Sequence, residues 1–160
     1  MKYSYKLSDA VHLLSYLHIY QDGDLSSKAI ADSIESNPSV VRQLMSDLRT
    51  AGLIVTRKGA AEPRLAKKPR EINLFDIYQA INMDHDLLHV DPKTNLKCIV
   101  GGNIQASLEK YYDQIQAAAF NEMKQISLAD VIDDILQRQS TKLDLLKNLN
   151  FKNKLATGLK

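Results

Sequence analysis

Residues Ser36 to Ile54 read Ser-Asn-Pro-Ser-Val-Val-Arg-Gln-Leu-Met-Ser-Asp-Leu-Arg-Thr-Ala-Gly-Leu-Ile, and no other stretch limits the fold as tightly. Pro38 suits the first position of a helix, where no backbone N–H is needed, and Asn37 can cap it. Val41, Leu44, Met45 and Leu48 recur at helical spacing as one apolar stripe. Gly52 stands where a left-handed residue would end the helix. Leu53 to Arg57 is β-branched and apolar, as a short strand requires. A helix that stops on glycine and turns at once into a strand matches the last helix of a helix-turn-helix and its exit into a wing.

The flanking segments complete that reading. Leu7, Val11, Leu14 and His18, with Ala10, Leu13 and Leu17 beside them, predict a helix over Leu7 to Ile19. Asp22-Gly23-Asp24 is a turn. Ser26 caps a short helix through Ile34, with Leu25 as a staple and Ile30 and Ile34 inward. Glu35-Ser36-Asn37 then makes the turn into the third helix. Gly59 to Pro63 is the wing tip, and Arg64-Leu65-Ala66 begins the return strand. Asn73 caps a short helix carrying Leu74, Ile77, Tyr78 and Ile81.

Beyond a linker with turn residues Asp91-Pro92 and Asn95 comes the longest helical pattern, about Gly102 to Ile126. Ile104, Leu108, Tyr111, Ile115 and Ala118 alternate by four and three, with Tyr112, Ala119 and Met123 alongside. One compact domain does not need so long an amphipathic arm, so the expected partner is the same helix of a second copy. Ser127 caps a last helix, Leu128 to Gln139, with Val131, Ile132, Ile135 and Leu136 inward. Leu143, Leu145, Leu146 and Leu149 dock the tail before it frays. The fold class expected is mainly α: a winged helix-turn-helix with a small β-wing, plus a long C-terminal dimerisation helix. The boundaries expected are 1–82 for the winged domain, 83–101 for the linker, 102–140 for the dimerisation helices and 141–160 for a basic tail.

The net charge of +2 hides a segregation. Lys28 to Arg70 holds nine Lys/Arg against four Asp/Glu, Glu71 to Ser140 five against eleven, and Thr141 to Lys160 five against one. The first basic block overlaps the third helix, which is the electrostatic footprint of a DNA contact surface. No apolar run spans a membrane, no secretory pattern opens the chain, and one cysteine excludes an internal disulfide. A cytoplasmic protein is expected. No nucleophile–base pair, phosphate-binding glycine loop or paired catalytic carboxylate stands out, so no enzyme and no cofactor is expected.

With these elements in order, the chain resembles the Rrf2 family of bacterial transcriptional regulators. The resemblance is carried by Ser26-Ser27 with Ile30-Ala31, by Val41-Arg42-Gln43-Leu44, by Leu48-Arg49 with Ala51-Gly52-Leu53, and by Arg64-Leu65-Ala66. Also telling are Ile72, Leu74, Asp76-Ile77-Tyr78 and Ala80, then Cys98, Val100-Gly101, Asn103-Ile104-Gln105, and Ser127-Leu128-Ala129-Asp130. It reaches to about Gln139. It implies a regulator, a repressor by expectation, that binds double-stranded DNA as a homodimer at a pseudo-palindromic operator, in response to an effector the sequence does not name. Two departures stand out. The tip Gly59-Ala60-Ala61-Glu62-Pro63 lacks the family's glycine-rich tip and following aromatic, and Glu62 would repel phosphate. The iron–sulfur members use three closely spaced cysteines, whereas this chain has one, which places it nearer the cluster-less branch. The altered tip keeps open a rival reading, a winged helix that binds another protein without sequence-specific DNA binding.

Ser39, Arg42, Gln43 and Ser46 lie on the third helix opposite its buried stripe, the face that would enter the major groove. Arg42 suits guanine, Gln43 adenine, and Val40 a thymine methyl. The second-helix start, Ser26, Ser27 and Lys28, presents N–H groups suited to phosphate. Asn37, Arg49, Arg57, Lys58 and Arg64 complete the candidate DNA-binding set. Cys98 is a candidate sensor thiol if it reaches the first turn of the long helix, where the dipole and Lys97 would favour thiolate; the alternative is a small buried hydrophobe. His85, His89, Asp84, Asp86 and Asp91 match no metal-ligand spacing and are expected to be solvated.

Overall fold

The computed structural model of the chain describes residues 5–56, 62–81 and 86–157, with side chains described through residue 144. Three helices come first: α1 (Lys6–Ile19), α2 (Ser27–Ile34) and α3 (Pro38–Thr50). The strands β1 (Ile54–Thr56) and β2 (Pro63–Leu65) pair antiparallel, Val55 opposite Arg64. A 3-10 turn, Pro69–Glu71, leads to α4 (Leu74–Ala80), and two long helices follow, α5 (Ile104–Gln125) and α6 (Leu128–Thr157).

Local chemistry sets these boundaries. Ser26 Oγ accepts from the Ala29 N–H at 3.1 Å and starts α2. Glu35 adopts φ 56°, the left-handed turn between α2 and α3, and the Ser36 N–H donates back to the Ala31 carbonyl. Asn37 Oδ1 accepts from the Ser39 N–H at 2.8 Å, with Pro38 in the first turn of α3. Gly52, at φ +73°, ends α3 as expected of a glycine there. The Ala66 N–H donates to the Leu53 carbonyl at 2.9 Å, so the wing ladder continues one step past β2.

The core sits between α1, α2, α3 and α4. Ala10, Leu13, Leu14 and Leu17 of α1 meet Ile30, Val41, Leu44 and Leu48, with Ile54, Ile72, Ile77 and Ile81 closing the other side. Each such fully buried aliphatic side chain contributes about 1.5–3 kcal/mol. The inner face of α1 is centred one step away from the expected stripe. Leu7 and Val11 only flank the core, and His18 is exposed, because Leu13, Leu14 and Leu17 take the inward positions.

The end of the chain departs further from expectation. Leu128 and Ile132 are buried in the head's own core, so the start of α6 closes the winged domain and is not simply part of an arm. The Leu74 N–H donates to the Ile126 carbonyl at 3.0 Å, and the Leu128 N–H to the Ile72 carbonyl at 2.8 Å. These two bonds pin the α5–α6 corner against the start of α4. Ile135 and Leu136, expected inward, are 40% and 49% exposed. Instead of ending at Gln139, α6 runs on to Thr157 as one helix. No Gly or Pro occurs from Leu128 to Thr157, so nothing in that stretch breaks it.

Candidate nucleic-acid interface

The outward face of α3 is polar because its inward face is fully used by Val41, Leu44, Met45 and Leu48. Ser39, Val40, Arg42, Gln43, Ser46 and Arg49 are all exposed, and Val40 is an apolar side chain left 53% accessible among them. Arg42 leans across the helix-turn-helix. Its guanidinium donates to Ser39 Oγ at 3.0 Å and to Ser27 Oγ at 3.3 Å, which spans α3 and the start of α2. Gln43 Nε2 donates to Asp47 Oδ1 at 2.9 Å, one turn along α3. Asp47 also accepts from Lys6 Nζ at 2.9 Å, and this bond to the ammonium, with the one from Gln43, holds its carboxyl below the ordinary aspartate range.

This arrangement has a chemical consequence. The Gln43 amide spends one of its two N–H donors on Asp47, which leaves its second N–H and its carbonyl oxygen to meet a partner. An acceptor there pairs with the exocyclic amino group of adenine or cytosine.

The start of α2 is less open to phosphate than its sequence suggested. The Ala29 N–H is taken by Ser26, and the Ser26 N–H donates to Asp24 Oδ1 at 2.8 Å. That backbone bond, with the Ser26 hydroxyl, keeps the Asp24 carboxyl below its ordinary range, so a negative charge already stands beside the helix start. The Ser27 and Lys28 N–H groups, and the Lys28 side chain, are what remain for an anion. Asn37 spends its side-chain oxygen on the α3 cap. Arg49 Nε donates to Thr56 Oγ1 at 3.1 Å, which ties the end of α3 to β1. Arg64 pairs with Glu62 at 3.3 Å, so the wing carboxylate is matched by the next cation along the strand. Arg57, Lys58 and the tip residues Gly59 to Ala61 lie outside the described residues.

With this geometry the comparisons with known proteins agree. The model of the Rrf2 family, described as an iron-dependent transcriptional regulator, matches residues 3–134. The chain belongs to the Rrf2 family. YwnA of Bacillus subtilis, named as an HTH-type transcriptional regulator, is 36% identical over 130 residues, covering 81% of this chain and 96% of YwnA. A solved structure described as a DNA-binding protein is 36% identical, with a TM-score of 0.63 over 79% of this chain and 98% of its own. IscR of T. potens shares the fold at 24% identity and a TM-score of 0.65, covering 87% of this chain and 91% of its own. The chain is therefore a winged-helix DNA-binding transcriptional regulator. The family's iron does not fit through a cysteine-bound cluster here, because one cysteine cannot supply three thiolates.

Cys98 does not reach the first turn of α5, which begins at Ile104. It lies in the turn before it, exposed, and its Sγ accepts from the Gly101 N–H at 3.1 Å. The expectation of a small buried hydrophobe therefore does not describe it within one protomer. Among the described residues, no three His, Cys, Asp or Glu side chains gather, and no helix is long and apolar enough to cross a membrane. Asp84 and His85 lie outside the described residues.

The α5 stripe divides in two. Tyr111 and Ile115 are 56% and 53% exposed, and Ile104 and Leu108 are half-buried on the same side. Tyr112, also half-buried, lies beside residues 86–90, while the half-buried Ala119 and Met123 flank the side that faces the head. That side is anchored by Phe120, whose ring lies 5.0 Å from Phe75 and 5.3 Å from Tyr78 between centroids. Lys124 Nζ sits 4.7 Å over the Phe75 ring. The sequence reading passed over Phe120. The signal was present: an aromatic in the arm with Phe75 and Tyr78 in α4 to receive it.

Proposed function

We propose that the chain acts as a homodimeric repressor, each protomer placing α3 in one major groove of a pseudo-palindromic operator. The observation that carries this is the α3 face itself: Ser39, Arg42, Gln43 and Ser46 are exposed together, opposite a stripe wholly used by the core. Arg42 and Gln43 read bases, Lys28, Arg49 and Arg64 contact the backbone, and the exposed side of α5 joins the protomers. Half-sites would then be separated by whole turns, about 10 base pairs each. The exposed Cys98 thiol, in the turn ahead of α5, makes the regulator open to oxidants.

The test is titration of a labelled duplex from the promoter of the chain's own gene against a scrambled duplex at moderate salt. Preference for the promoter is expected. Equal binding to both would favour the reading of a winged helix that engages another protein. Peroxide should release the operator from the wild type and not from Cys98→Ser; equal release from both would remove Cys98 from the scheme.

A further inference from the structure

Gln43 stands on the outward face of α3, and its side chain is exposed. An exposed glutamine without a fixed neighbour turns its amide freely and offers a base either its oxygen or its N–H groups. Here a neighbour removes that freedom. Gln43 Nε2 donates to Asp47 Oδ1 at 2.9 Å. An ionised carboxylate only accepts, so it takes the nitrogen end of the amide and turns the oxygen away.

Asp47 can impose this because it is itself held. Its side chain is only 12% exposed, and its other oxygen, Oδ2, accepts from Lys6 Nζ at 2.9 Å. Lys6 is anchored in turn, since Nζ also donates to the Ile81 carbonyl at 2.7 Å. The ammonium and the Gln43 amide therefore sit on the two oxygens of one carboxylate, between the start of α1 and the end of α4. The bonds that hold this carboxyl below the ordinary aspartate range keep it ionised, and an acceptor, at neutral pH. Fixing the amide before DNA arrives also removes an ordering cost from binding.

We infer that Asp47 is a positioning residue for base recognition: it sets which end of the Gln43 amide faces the groove, and so which class of base edge is selected there. The inference rests on the reading that Gln43 meets a base. With the oxygen outward, the favoured base on the contacted strand carries an exocyclic amine, as adenine and cytosine do. Asp47→Asn should reverse this. Lys6 then claims the single oxygen of the new amide, so the asparagine nitrogen faces Gln43. Gln43 must turn its own oxygen inward to accept, and its N–H groups face out. Those select the acceptor edges of guanine or thymine.

The probe is a pool of duplexes of randomised sequence, selected on the full wild-type chain, with the recovered operator then changed one base pair at a time. The readout is the ratio of affinities among the four bases at each position. A loss of stability, or of one negative charge, moves all positions alike and leaves these ratios untouched. Gln43→Ala should level one position in each half-site. The wild type should favour adenine or cytosine there by about three- to tenfold, the contribution of one hydrogen bond. Asp47→Asn should favour guanine or thymine at the same position. Asp47→Ala, which offers Gln43 no partner, should level it without reversing it. In the Gln43→Ala background, Asp47→Asn should change no ratio. Unchanged ratios in both Asp47 variants, or a shift that survives in the Gln43→Ala background, would overturn the positioning role. So would a wild-type preference for guanine or thymine at that position. If Gln43→Ala levels no position, base reading by Gln43 itself is removed, and this inference with it.

Discussion

Asp47 accepts from both Lys6 and Gln43, and so links the base of α1 to the outward face of α3. Its carboxyl is held below the ordinary aspartate range in the folded state. The Lys6–Asp47 contribution is therefore full at neutral pH and is lost as pH falls through that lowered value. Lys6 is more than a third exposed on its side chain, so solvent limits the pair to about 1 kcal/mol. In urea unfolding, Lys6→Met should cost about that much at pH 7. The gap to the wild type should narrow below the normal aspartate range. It should not close, because Lys6 Nζ also donates to the Ile81 carbonyl at 2.7 Å. A gap independent of pH would show that the backbone contact is the whole effect. On the DNA side, Arg42→Ala should lower operator affinity by about 1–3 kcal/mol and relax preference at one base position. Equal loss on scrambled duplex would mean that Arg42 only holds phosphate. Residue identities on α3 were legible in the sequence because helical spacing alone separates Val41, Leu44 and Leu48 from Arg42 and Gln43. The Asp47 link was not, since it depends on Lys6, far away in sequence, arriving at the same place.

Capping chemistry explains why so many elements were legible. Ser26, Asn37, Asn73 and Ser127 each precede an apolar run with a side chain able to take an orphan N–H, and each does so. At Asn73 the arrangement is reciprocal: Asn73 Oδ1 accepts from the Asp76 N–H at 2.8 Å, and the Asp76 carboxylate accepts from the Asn73 N–H at 3.1 Å. The same residue bridges to Ser127, so α4 and the α5–α6 corner share one fastening point. Asn73→Ala should cost about 1 kcal/mol of stability in chemical denaturation, the ordinary price of a lost cap. Hydrogen exchange should rise at both Leu74 and Leu128, whose amides flank the bridge. Faster exchange at Leu74 alone would show that the cap acts on α4 only. What the sequence hid was the continuity of α6. The helix was expected to end at Gln139, yet Thr141 Oγ1 donates back to the Gln137 carbonyl at 3.0 Å and stays within it. A hydroxyl that bonds one turn back is compatible with helix, and only the surrounding turns decide.

At the scale of the whole molecule, the head is self-sufficient and the arm is not. The winged domain encloses its own core, whereas α5 contributes no fully buried side chain over 22 residues. An amphipathic helix that leaves Tyr111 and Ile115 in solvent draws its stability from packing still to be made. Phe120 packs the C-terminal part of α5 on its own head, so the exposed stripe lies toward Ile104, the side that the proposed dimer would use. Replacing Tyr111 and Ile115 together by Glu places two charges on that stripe without touching the core. Sedimentation should then move from dimer to monomer while the far-ultraviolet spectrum is kept. Operator binding supplies the second measure. The dependence of log affinity on log salt scales with the number of phosphates neutralised. Two heads held together should therefore give about twice the slope of one. The double variant should show roughly half the wild-type slope and a large loss of affinity at any one salt concentration. A variant that sediments as a monomer yet keeps the full slope would place all the phosphate contacts on a single head. A variant that remains a dimer would move the interface off this side of α5.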